Sequence, residues 1–240
     1  MTLSLVAIEE NSTSETTEVL QKPPMLMVIG APGSGQGVSA VKLAKSFSLP
    51  HISPATLLVE YVSQPTELGY KARDFLDSRR RIPEDFILEM LADRIKQEDT
   101  NRGFVLDGIP NTIAQIAPLR KLMGDRFRLL AISICIPDEL LIAREEGRLV
   151  CLSCGRVYHK LHSPPEEPMT CDNCLCALTQ RDDDTEESIT KRLQEWHAET
   201  DPIIAFFKKE NLLVEVNGNC SFDSTLREIK QTYLDFTTCN

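Results

Sequence analysis

Two short stretches of this 240-residue sequence carry patterns that could do chemistry. The first is Gly30-Ala31-Pro32-Gly33-Ser34-Gly35-Gln36-Gly37. Its glycines allow backbone N–H groups to turn inward, and a helix starting directly behind them adds partial positive charge, so such a loop can cradle phosphate oxygens. The plain alternative is a tight connection from strand to helix. A working phosphate loop places a lysine where Gln36 stands, with a hydroxyl after it, to reach the outer phosphates and a magnesium ion. Here Gly37 and Val38 follow. Ser39 is a displaced hydroxyl, and Lys42 lies too far along the next helix to point back.

The second stretch holds Cys151-x-x-Cys154 and Cys171-x-x-Cys174, separated by sixteen residues. Two such knuckles at this spacing suit a tetrahedral all-thiolate zinc site, which leaves no open coordination position and is therefore structural. Disulfides, or a knuckle that has lost its metal, are the alternatives. His159 and His162 are spare candidate ligands, Cys176 a bystander, and Cys135, Cys220 and Cys239 core or tail residues. His51 and His197 read as packing or surface groups.

The elements that must position these residues follow from hydrophobic period. Short apolar runs at 25–29, 49–52, 103–106, 128–136 and 212–216 read as strands, and helical patterns fall at 55–62, 67–77, 84–97, 112–123, 138–148 and 222–236. A further helix capped by Asp184 or Thr185 is expected to break near Pro202 and resume to about Glu210. Alternation of strands with longer helices predicts an α/β fold: a parallel five-stranded sheet flanked by helices, with a small zinc-ribbon lid inserted at 149–180. Residues 1–24, rich in Glu9, Glu10, Glu15 and Glu18, read as a disordered acidic tail, neither signal nor transit peptide. A net charge of −10 argues against nucleic acid or an anionic membrane as partner. No apolar run approaches the ~18–20 residues of a membrane span, so a soluble, cytoplasmic protein is expected.

Taken in order, the glycine loop, Gly103-Phe104-Val105-Leu106-Asp107-Gly108-Ile109-Pro110, residues 138–148, the cysteine insert and Arg181-Asp182-Asp183-Asp184 resemble the adenylate kinase family over about residues 25–236. The resemblance implies a P-loop CORE at 25–148 and 181–240, an AMP-binding helical arm at about 53–82, and a lid that closes over ATP. It implies adenine nucleotides as ligands, ATP with Mg²⁺, and a structural Zn²⁺. By resemblance Gly30, Gly33, Ser34, Gly35, Gln36 and Gly37 hold phosphates and Arg144 packs on the ATP adenine. Arg148, Arg181 and Arg192 clamp the phosphates, Asp107 orients the hydrated Mg²⁺, and Gln115 reads the AMP adenine.

The chain departs from the family pattern where Gln36 replaces the loop lysine, where Val59 and Asn111 replace arginines that grip the acceptor phosphate, and where Pro54 replaces a threonine. Phosphoryl transfer depends on positioning and charge, and one preorganised donor is worth about 10²–10³ in rate. Arg79, Arg80 and Arg81 are candidates to compensate, against a plain solvated turn. The expectation is thus an adenylate kinase-like protein, catalytically impaired or inactive, with a nucleotide-binding, scaffolding or regulatory role and a protein partner, monomeric when free. The alternatives are a divergent but active adenylate or nucleoside monophosphate kinase, and a structural subunit without nucleotide binding.

Overall fold

The structure, a computed structural model, describes residues 22–78, 82–161 and 163–238. The tail up to residue 21, Arg79, Arg80, Arg81, His162 and Cys239 lie outside the described residues. The elements run β1 (Pro24–Gly30), α1 (Gln36–Phe47), β2 (His51–Ile52), α2 (Pro54–Val62), α3 (Glu67–Ser78), α4 (Glu84–Arg94), β3 (Phe104–Asp107), α5 (Ile116–Met123) and β4 (Arg128–Cys135). Then come α6 (Asp138–Glu146), β5 (Arg148–Cys151), β6 (Val157–His159), β7 (Leu178–Thr179), α7 (Glu186–Lys209), β8 (Leu213–Asn217) and α8 (Phe222–Thr238).

Five strands form one parallel sheet in the order β2-β3-β1-β4-β8. β1 is buried from Met25 onward, as an apolar run must be when helices cover both faces. Alternation then sorts its side chains. Met25, Met27 and Ile29 join Phe104, Leu106 and Ile203 on one face, while Leu26 and Val28 join Val105, Ile132 and Ile229 on the other. The chain leaves β1 between its two neighbours, β3 and β4, so the loop after Gly30 opens into the crevice where ligands of such sheets bind.

α2 opens on a reciprocal cap. Ser53 accepts the Thr56 N–H, the Thr56 hydroxyl accepts the Ser53 N–H, and Pro54 occupies the first helical position, where its missing donor is harmless. Arg94, almost wholly buried, ties α4 to Glu60 on α2 and to Asp99.

Several boundaries differ from the sequence expectation: the helix expected from 112 begins at Ile116 behind a 3-10 turn, and β2 spans only His51–Ile52. α7 runs unbroken through Pro202, because Ile203 and Phe207 bury against the sheet and offset the lost backbone bond, worth ~3 kcal/mol. α4 stops at Arg94 and a 3-10 turn at Glu98–Arg102 follows. α6 stops at Glu146, so that Arg148 begins a strand instead of ending a helix. The insert is an antiparallel sheet in the order β6-β5-β7 around Leu149, Tyr158 and Leu178. No helix among the described residues is long and apolar enough to cross a membrane.

Candidate functional site

The glycine loop leads from β1 into α1. Gly33 and Gly35 take φ of 83° and 79°, which side chains rarely tolerate, and a Cβ on Gly30 would stand 2.4 Å from the Ser34 hydroxyl. Gln36 turns inward: its Oε1 accepts the Gly30 N–H at 3.0 Å and its Nε2 donates to Asp107 Oδ1 at 2.7 Å. The other Asp107 oxygen lies 3.0 Å from His51 Nε2. Gln36 therefore braces the loop as a neutral amide instead of reaching outward as a cation. Lys42 does not replace it, since its ammonium sits over the Phe222 ring, 4.7 Å from the centroid.

A cleft of about 1200 Å³ lies between this loop and the small sheet. Its lining includes Gly30, Gly33, Ser34, Gly35, Gln36 and Gly37 together with Arg144, Arg148 and Arg181. Arg144 donates to the carbonyls of Gly218 and Cys220, at 3.0 and 3.5 Å, and so joins α6 to the turn before α8. Arg181 is exposed on the wall. Arg192, Asp107 and Gln115 are not part of the lining.

Arg148 is fully engaged. Its Nε and Nη2 reach the two oxygens of Asp184 at 3.0 and 2.5 Å, and its Nη1 reaches Glu145 at 2.5 Å. Burial opposes the guanidinium charge, but the Asp184 hydrogen bonds and the Glu145 and Asp184 carboxylates outweigh it and raise the Arg148 pKa. Arg192 approaches Glu145, Asp183 and Asp184 at 3.0, 3.3 and 3.4 Å. Thr185, not Asp184, caps α7, accepting the Ser188 N–H; the Asp184 carboxylate serves the arginines.

Gln115 is buried, and its side-chain oxygen accepts the Asn111 N–H at 2.8 Å, closing the turn that follows Asp107. The Asn111 side-chain oxygen is buried without a hydrogen-bond partner. Val59 is 74% exposed on α2.

Cys151, Cys154, Cys171 and Cys174 converge, with their sulfurs all within 4.8 Å of one another. The 151–174 and 154–171 pairs stand at 3.3 and 3.6 Å, close to the ~3.8 Å edge of a tetrahedron with Zn–S bonds of about 2.3 Å. The four cysteines are thus positioned to hold a metal ion. The Tyr158 hydroxyl lies 3.4 Å from Cys171 Sγ and accepts the Asp172 N–H at 2.8 Å, so it orients a ligand sulfur. That hydroxyl is the main influence lowering the Cys171 thiol, while, against the Cys176 backbone hydrogen bond, the sulfur of Cys151 and burial push Cys174 up, so the cluster without metal shares its protons unequally. Cys176 is exposed and outside the cluster.

A sequence model of the family described as Adenylate kinase matches residues 28–212. The chain belongs to the adenylate kinase family. It is 40% identical over 206 residues to the adenylate kinase of Caldicellulosiruptor bescii, covering 85% of this chain and 96% of that one. It is 39% identical over 208 residues to that of Symbiobacterium thermophilum, covering 86% and 96%. It is 37% identical over 206 residues to that of Acetivibrio thermocellus, covering 85% and 95%.

Within the family frame, two residues beside the loop escaped the sequence reading. His51 was expected to pack or face solvent, yet it holds Asp107. Glu145 is 2% exposed and touches both Arg148 and Arg192. Its signal was an acid four residues after the buried Leu141, on the apolar face of α6.

Proposed function

We propose that this chain is a divergent nucleotide phosphotransferase. It takes ATP with Mg²⁺ into the cleft and passes a phosphoryl group to a nucleoside monophosphate, more slowly than its relatives. The observation that carries this reading is that the glycine loop and Arg144, Arg148 and Arg181 line one cleft. The relatives that cover almost their whole length in the match are named adenylate kinases, which favours transfer over mere binding. In this reading residues 149–180 form the lid and about 53–82 the acceptor arm, on a CORE of 25–148 and 181–240. Arg144 packs on the base, Arg148, Arg181 and Arg192 meet phosphate, Asp107 orients hydrated Mg²⁺, and Gln115 offers its amide N–H₂ to the acceptor base. The chain's own contribution is positive potential on the lid side and backbone N–H groups on the loop side.

A coupled assay of ADP formation on metal-replete protein, with AMP and the other nucleoside monophosphates as acceptors, tests it. The expected turnover is saturable in ATP and about 10²–10³-fold below the ~1–100 s⁻¹ of ordinary kinases, with Gln36→Lys recovering at least tenfold. A second reading, a nucleotide binder without transfer, is favoured by Gln36, whose amide occupies both Gly30 N–H and Asp107. It predicts a rise in melting temperature with ATP and no ADP from any acceptor.

A further inference from the structure

Four charged side chains close a ring at the cleft, whose lining includes two of them, Glu145 and Arg148. Glu145 and Asp184 are buried, at 2% and 3% exposure, and between them they contact Arg148 and Arg192. Two acids neutralise two arginines. Asp184 alone already fills the fork of Arg148 through Nε and Nη2. Glu145 takes the remaining nitrogen, and its second oxygen lies 3.0 Å from Arg192 Nη2 without the alignment of a hydrogen bond. Arg192 Nε is likewise buried and unbonded.

The position of Glu145 is as telling as its partners. It sits directly beneath the glycine loop, where a Cβ on Gly33 would come within 3.0 Å of its Cγ. A carboxylate there adds negative charge under backbone N–H groups that suit an anion. It also occupies donors that suit phosphate oxygens in geometry and charge. We propose that Glu145 is an internal competitor for nucleotide phosphate. With the cleft empty it stands in for an anionic group at Arg148 and Arg192, and a polyphosphate enters by displacing it. The inference rests on the reading of the cleft as a nucleotide site, though not on phosphoryl transfer. Glu145 is a positioning residue, acting through the two arginines.

Calorimetric titration of the full-length, metal-replete protein tests this with three probes: Mg-ATP, inorganic tripolyphosphate and adenosine. Glu145→Gln is expected to tighten ATP and tripolyphosphate by about tenfold, because close buried charge pairs couple at least that strongly, and to leave adenosine unchanged. Glu145→Asp, which keeps the charge, is expected to stay near the wild type. Equal or weaker tripolyphosphate binding by Glu145→Gln overturns the proposal, as does an equal gain for adenosine. In the wild type the Glu145 carboxyl carbon resonance is expected to shift as tripolyphosphate saturates; an unmoved signal overturns the proposal even if the glutamine variant fails to fold. Absence of ATP and tripolyphosphate binding in both proteins sinks the nucleotide reading and this inference together. Polyphosphate binding that tightens in Glu145→Gln, without ADP formation in the coupled assay, supports the inference while removing transfer.

Discussion

In the five-stranded sheet Leu26, Val28, Phe104, Val105 and Ile132 are buried to 1% or less, whereas among the described residues the three-stranded sheet buries Leu149, Val150, Tyr158 and Leu178 beside Cys151. Each large apolar side chain removed from water is worth about 1.5–3 kcal/mol, so the first sheet and its helices draw on dozens of such groups and the second on Leu149, Val150, Tyr158 and Leu178. Ordering each residue of a strand costs roughly 1–2 kcal/mol in backbone entropy, so these few side chains leave the small sheet little margin of its own. The small sheet also carries four cysteines positioned to hold a metal ion. One region is built by solvent exclusion, and the other is expected to draw on metal coordination as well.

Removal of the metal should separate them most widely, since zinc binding to comparable peptides is worth ~10–16 kcal/mol near pH 7. After treatment with a strong chelator, amide exchange protection should vanish across residues 148–179 and persist in β1, β3 and β4. Joint loss of both regions would break the comparison. Phe104→Ala comes next, with an expected global destabilisation of ~3–5 kcal/mol in chemical denaturation and no change in metal stoichiometry. Loss of metal in that variant would show that the two regions unfold as one.

The smallest effect concerns neither burial nor coordination. His197 lies 3.1 Å from both Asp138 and Asp201, joining the start of α6 to α7. The Asp138 hydrogen bond, helped by Asp201 and resisted by burial, raises its pKa above the ordinary imidazole value. A raised pKa means stabilisation that is complete below the unfolded value near 6.5 and lost as pH climbs through the folded one. His197→Gln should therefore lower the melting temperature at pH 5.5 and be neutral at pH 8.5. The partners are exposed enough that the shift should not exceed ~2 °C. A larger cost at pH 8.5 would make the residue a packing element.

The large sheet was legible because its strands are contiguous apolar runs, and the cysteine cluster because its spacing is a local pattern. The strands of the insert were not, since two to four residues give no period to read. Pro202 misled because a helix breaker was weighed without Ile203 and Phe207, whose burial depends on the far side of the sheet. The loop residues were identified, yet not what Gln36 does, because Asp107 lies 71 positions away. Glu145 was invisible as a partner for the same reason: an acid on an apolar helix face acquires meaning when Arg192 arrives from another helix.

The placement of β1 between β3 and β4 has a last consequence. The crevice at its end is made by the path of the main chain, so no single side chain is needed to keep it open. The main-chain path places the cleft, and side chains such as Gln36 and Asn111 then decide what it can hold.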